Sequence, residues 1–232
     1  MTTIILVPGL WLDASSWDGV APGLRAAGHD TYPVTLPGLE SADADRASIG
    51  LDTHIDAVVA IIDTLDVPAV LVGHSSGGPV VHGATDRRPN RVSRVVYVDS
   101  GPSSEGASVN DAIPHDDVDM SLPPWNAFGD EDLRDFTPEL LDSFAARAIP
   151  SPSHAATDPL HLHDERRFGV PVTLITSTFP RADLETMIAD EHPYTGDLVR
   201  ISDVSIVELP TGHWPQFTRP DELTEAILEA VA

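Results

Sequence analysis

Acyl transfer by a side-chain nucleophile needs a hydroxyl or thiol, a base to take its proton, and a group to hold that base. This chain carries a hydroxyl in a telling context. Residues 69–79 read Ala-Val-Leu-Val-Gly-His-Ser-Ser-Gly-Gly-Pro, so Gly73, His74, Ser75, Ser76 and Gly77 fill the pattern G-x-S-x-G. An apolar run precedes the pentapeptide and a helix-compatible segment, 80–88, comes after it. There the pattern has a mechanical meaning. A serine on a sharp strand-to-helix turn is strained and exposed, and glycines two residues to either side relieve the clash that side chains would cause. The helix that begins beneath it turns free N–H groups towards developing negative charge. Without that context the same residues are a Gly/Ser-rich turn.

Ser75 needs a base. Among ten histidines, His213 stands in Leu-Pro-Thr-Gly-His-Trp-Pro, on a loop between a late apolar run and the last helical segment. In an open parallel sheet such loops share the edge where sites form, so His213 and Ser75 can meet despite their distance along the chain. The group that orients the imidazole is less sharply marked. Asp99, at the C-terminal end of the run 92–98, is the favoured acid; Asp183, the earliest carboxylate after the run 172–176, is the alternative. Each also has an ordinary reading, Asp99 as a turn cap and Asp183 as an exposed first-turn helix acid. A tetrahedral intermediate needs two N–H donors. The Ser76 amide is one, and the amide of Leu10, just after Pro8-Gly9, is the natural second. Trp11 and Trp214 neighbour this machinery and are the candidate substrate-binding aromatics.

Other histidines invite a metal reading. His161-Leu-His163-Asp164 has half of a ligand set but no partner cluster, and reads as polar surface. His115-Asp116-Asp117-Val-Asp119 lacks the spacing of a calcium loop and reads as a solvated turn. His74 is expected to pack against the serine turn. No metal and no cofactor is expected.

The elements that must place these residues emerge from periodicity. Segments 3–7, 30–36, 69–72, 92–98, 170–176 and 204–209 read as strands; segments 17–27, 51–65, 78–88, 181–191 and 220–231 read as helices. Strands without polar alternation imply burial on both faces, hence an α/β fold whose mainly parallel sheet has helices on either side. The rhythm breaks between 102 and 167, a stretch rich in Pro, Asp, Ser and His with one clear helical piece at 137–148. It is too long for a simple crossover and reads as an inserted cap or lid, with 1–101 and 168–232 forming one core.

Composition narrows the function. With 232 residues and 41% hydrophobic content the chain suits one globular domain. It has no cysteine, which excludes disulfides, thiolate metal sites and a cysteine nucleophile. All 13 basic residues are arginine, which excludes a P-loop lysine and Schiff-base chemistry. A net charge of −24 argues against nucleic acid and anionic membranes as partners. No apolar run is long enough to cross a bilayer, and the first residues lack the basic region of a signal peptide, so a cytoplasmic location is the expectation. The oligomeric state is not legible.

Across essentially its whole length the chain resembles the α/β-hydrolase superfamily. The resemblance rests on Val-Pro-Gly-Leu-Trp-Leu-Asp-Ala-Ser-Ser-Trp at 7–17, Leu-Pro-Gly-Leu-Glu at 36–40, Gly-His-Ser-Ser-Gly-Gly at 73–78, Val-Tyr-Val-Asp-Ser at 96–100 and Gly-His-Trp-Pro at 212–215. It looks most like the small serine-esterase branch that includes plant methyl-ester hydrolases and hydroxynitrile lyases. The resemblance implies a core of about six strands, because the superfamily's two leading antiparallel strands are missing. Two departures bear on chemistry: the hydroxynitrile lyases use a threonine where Gly9 stands and a lysine where Trp214 stands, so cyanohydrin cleavage is not expected. The usual acid position falls near Phe179, while some members carry the acid where Asp99 stands. A serine hydrolase acting on a small, largely apolar carboxylic ester or lactone is the leading expectation. The alternatives are a lyase, cyclase or cofactor-free oxygenase in the same pocket, and a ligand receptor with a vestigial triad.

Overall fold

Strands that are apolar throughout cannot sit at a surface, and the central strands show the consequence. The computed structural model describes residues 1–110 and 112–232. Strands β1 (Thr3–Val7), β2 (Asp30–Pro33), β3 (Ala69–His74) and β4 (Val92–Val98) form the first part of the sheet, and β1 and β3 are buried at every position. After the inserted segment come β7 (Val172–Thr176), buried throughout, and β8 (Val204–Glu208), a more exposed edge. The order is β2-β1-β3-β4-β7-β8, six strands, and each pairing is parallel. The expected six-stranded α/β core is therefore present.

Alternate strand residues feed two cores. Ile5, Val7, Leu71, Val95 and Leu174 pack on one face with Ile55, Val58 and Ile62 of helix α2 (Leu51–Thr64) and Val80, Val81 and Ala84 of helix α3 (Gly77–Arg87). Ile4, Leu6, Val70, Val96 and Ile175 pack on the other with Leu24 of helix α1 (Ala21–Ala26) and Leu223 and Ile227 of helix α8 (Pro220–Val231). The i, i+3, i+7 spacing of Ile55, Val58 and Ile62 explains why α2 lies flat on the sheet. Removing a fully buried side chain of this kind costs about 2–5 kcal/mol.

The inserted stretch contributes β5 (Asp119–Met120) and β6 (Ser151–Pro152), an antiparallel ribbon, with helices α4 (Pro138–Arg147) and α5 (Ser153–Thr157). Thr137 caps α4 by accepting from Leu140 N at 3.3 Å. The C-terminal end of the stretch is tied to α3: the buried Asp86 carboxylate accepts from the amides of His163 and Asp164 and from Arg167 Nη1. After β7, helix α6 (Arg181–Ala189) precedes β8, and a single turn α7 (Pro215–Thr218) precedes α8. Among the described residues no helix is long and apolar enough to cross a membrane.

Several boundaries differ from the periodicity, three of them for a clear physical reason. The helix expected over 17–27 is split into a 3-10 turn, Ala14–Trp17, and α1. Asp13 accepts from Ser15 N at 2.9 Å and closes the first turn, while Pro22, lacking an N–H, fits only the first turn of α1. The second strand ends at Pro33 rather than 36, since proline cannot donate to the ladder, though Val34 N still reaches Leu6 O. The third strand runs on through His74, carrying pairing to the edge of the serine turn.

Candidate active site

The end of β3 drives the chain into a turn that only small residues permit. A Cβ on Gly73 would sit 2.6 Å from Gly77 O, and one on Gly77 would sit 2.6 Å from Val7 O. Between them Ser75 adopts φ 51, a left-handed conformation rare for a residue with a side chain. Strain of this kind costs about 1–3 kcal/mol and persists only where surroundings fix it. Here Ser75 N donates to Val98 O at 3.1 Å, and Ser100 Oγ donates to Ser75 O at 2.7 Å.

Strand order puts the other two groups beside it. Asp99 comes directly after β4, the neighbour of β3, and is itself at φ 44. His213 lies on the loop between β8 and α7. Ser75 Oγ donates to His213 Nε2 at 2.8 Å, and His213 Nδ1 donates to Asp99 Oδ2 at 2.6 Å. Asp99 Oδ1 also accepts from the amides of Ser177 and Thr178 at 2.8 and 3.0 Å, and Thr178 Oγ1 lies 2.9 Å from Oδ2. Burial works to raise the Asp99 carboxyl. The hydrogen bond and charge of His213, with the Thr178 and Ser177 amides, outweigh it and hold the group below the usual carboxylate range. The Asp99 side chain is 2% exposed and that of His213 is 23% exposed, so the ring is open to a reactant on its Ser75 side. Asp183 is exposed in the first turn of α6. The carboxylate paired with His213 is Asp99.

Leu10 and Ser76 border the same cavity as Ser75, and among the described residues the amide of neither is seen to donate a hydrogen bond to the chain. Ser76 is also the residue from which α3 starts. The cavity measures about 330 Å³. Trp11, Trp214 and Phe128 supply apolar wall, and Val109, Ile113 and Asp132, from the stretch between β4 and β7, line it as well. Trp214 stands edge-on to Phe144, Phe128 and Phe136 at 5.2, 5.4 and 5.8 Å between centroids, with Phe144 and Phe136 forming backing rather than lining.

His74 is expected beside the serine turn, whereas Tyr194 and Ser151 carried no sequence signal of their own. His74, fully buried, donates from Nε2 to His213 O at 2.7 Å, and its Nδ1 lies 3.2 Å from Gln216 Nε2. Burial first, then the neighbouring His213, push the His74 imidazole down to about 3, so it is neutral. Tyr194 is 41% exposed as a residue, but its hydroxyl is turned inward against Gly101. That burial, with the charge of Asp99, pushes the phenol up to about 12. Ser151 accepts from Trp11 N at 2.8 Å. The two histidine-and-acid motifs expected at the surface have local partners: Asp116 Oδ1 caps the Val118 and Asp119 amides, and His161 Nδ1 lies 3.4 Å from Glu105.

Comparison with known proteins agrees with this architecture. Residues 4–226 match the model of the alpha/beta hydrolase family. A carbendazim-hydrolysing esterase of Nocardioides sp. is 32% identical over 126 residues, a match covering 53% of this chain and 50% of that protein, so it spans half the relative's length. A pyrethroid hydrolase of Sphingobium wenxiniae is 22% identical over 99% of this chain and 87% of its own. Among solved structures, an extracellular alpha/beta-hydrolase from a Paenibacillus species superposes with a TM-score of 0.79 at 21% identity, covering 99% of both chains, a likeness of fold.

Proposed function

The chain belongs to the alpha/beta hydrolase family, and from that premise we propose that it is a serine hydrolase of small carboxylic esters or lactones, working through an acyl-enzyme. The observation that carries this is the relay from Ser75 Oγ through His213 to Asp99, at 2.8 and 2.6 Å, on the wall of a cavity of about 330 Å³. The esterase and hydrolase names of the relatives support the same class.

In this reading Ser75 Oγ attacks the acyl carbon and gives its proton to His213 Nε2. Asp99 holds the ring by Nδ1–H and stabilises the imidazolium. The carbonyl oxygen gathers negative charge opposite the Leu10 and Ser76 amides, with the N-terminus of α3 adding its dipole. Collapse expels the alkoxide, which takes the proton from Nε2. Water then attacks the acyl-enzyme, gives a proton to Nε2, and releases the acid as Ser75 recovers its hydrogen. Residues 102–167 serve as the cap that closes the acyl or alcohol side of the pocket.

Charge limits the substrate. The described lining contains no arginine, the chain has no lysine, and Asp99 and Asp132 are the carboxylates at the wall. A substrate bearing its own carboxylate would be repelled both there and by the −24 field of the chain. Neutral or cationic esters suit the site. The test is Ser75→Ala assayed on short acyl esters. Turnover should fall to background with the fold unchanged by circular dichroism; retained turnover would remove the covalent mechanism.

A further inference from the structure

The Leu10 amide sits in a short gap between β1 and Trp11, with no strand ladder to aim it. Upstream, Gly9 lies hard against the nucleophile turn: a Cβ there would come within 2.9 Å of His74 Nδ1 and 3.0 Å of Ser75 Cβ. Downstream, Trp11 is held at φ 64, in the left-handed region that disfavours a bulky side chain. Three hydrogen bonds hold it, and all come from the inserted stretch. Trp11 N donates to Ser151 Oγ at 2.8 Å, Trp11 O accepts from Ile149 N at 2.9 Å, and Trp11 Nε1 donates to Met120 O at 3.0 Å. Met120 and Ser151 are cross-strand partners in the β5–β6 ribbon, so the ribbon grips the main chain and the indole from facing positions. Ser151 is 1% exposed and shares with Leu10 and Ser76 the wall of a cavity of about 10 Å³.

We infer that Ser151 is a positioning residue for the oxyanion hole, the hydroxyl through which the inserted ribbon sets the aim of the Leu10 amide. This deepens the serine-hydrolase reading and rests on it. Without the hydroxyl, Trp11 N–H is left buried with no acceptor, and a strained main chain loses the bond that holds it. Release of that bond frees the Trp11 backbone to relax from its left-handed conformation, and the shift passes through the Leu10 Cα to the adjoining Gly9–Leu10 peptide, which carries the Leu10 N–H. Hydrogen bonds weaken steeply as they bend. The stabilisation lost is therefore that of the transition state, where the oxyanion exists, and not that of the bound ester.

The experiment compares Ser151→Ala and Ser151→Thr with wild type. Outright deletion of one oxyanion donor costs roughly 10²–10³ in kcat, so misaiming one should cost about ten- to thirty-fold. S151A is expected to show that loss in kcat with KM within about two-fold. The inhibition constant of a trifluoromethyl ketone, which forms an oxyanion on Ser75, should rise by the same factor as kcat/KM falls. S151T keeps the hydroxyl and should stay close to wild type. An unchanged kcat, a loss that only tracks the folded fraction with ketone affinity intact, or S151T as impaired as S151A in both readouts would overturn the inference. Backbone ¹⁵N relaxation of the Leu10 amide needs no turnover. If wild type hydrolyses no ester, the functional reading falls, while a lower Leu10 order parameter in S151A keeps the positioning role and an unchanged one removes it.

Discussion

The neutral His74 makes a quantitative demand on stability. In the folded chain it titrates at about 3, and in an unfolded chain at its ordinary 6.5. Between those values the unfolded state binds a proton that the folded state refuses, so stability present above pH 6.5 is lost as pH falls towards 3. Each pH unit inside that window is worth about 1.4 kcal/mol, so acidifying from neutral to roughly pH 4.5 should remove about 3 kcal/mol through this one group. His54 and His82 are lowered by burial too, and add to the same trend. His74→Gln isolates the contribution, because glutamine keeps an amide donor for His213 O and has nothing to titrate. Urea unfolding monitored by tryptophan fluorescence, at several pH values, gives both curves. At neutral pH the variant should be the less stable, and the gap should close by about 3 kcal/mol by roughly pH 4.5. Parallel curves for the two proteins would refute the assignment of His74 as a buried neutral donor.

Other outcomes are set by the site itself. Asp99→Asn should keep the fold and lower kcat by roughly 10⁴, since the imidazole loses both its orienting acceptor and its counter-charge. Asp183→Asn should leave kcat unchanged and shift stability by no more than about 0.5 kcal/mol, being an exposed helix position. Matched neutral, cationic and anionic esters should be ranked cationic first and anionic last in kcat/KM. Asp132→Asn should narrow each step by about four-fold, the worth of a unit charge at about 5 Å in water-like surroundings; an unchanged ranking in D132N would show that the wall carboxylate does not select.

The sheet was legible because its central strands are apolar without alternation, which leaves no arrangement except burial between two helical layers. The Ser75 turn was legible for a local reason: glycines at 73 and 77 are demanded by the sharpness of the turn itself. The partnership with His213 needed only the rule that strand ends share an edge. Sequence favoured Asp99 over Asp183 by its place at a strand end but left both open, because both come after strands at that edge; the amides of Ser177 and Thr178, which converge on Asp99, are visible only in three dimensions. Ser151 was illegible for a stronger reason. Its bond to Trp11 spans 140 positions, and a ribbon of two-residue strands has no periodicity to detect. The 3-10 turn before α1 was hidden because Trp17, Val20 and Leu24 keep helical spacing while Asp13 and Pro22 break the backbone around them.

The central claim is that Ser75 becomes covalently acylated during turnover. Intact-protein mass spectrometry of enzyme quenched during turnover of an activated short-chain ester, with peptide mapping of the product, tests it most directly. The expected result is one acyl increment on the peptide containing Ser75, absent from S75A, which is also inactive. Steady turnover with no increment on that peptide, or an S75A protein that still hydrolyses the ester, would contradict the account.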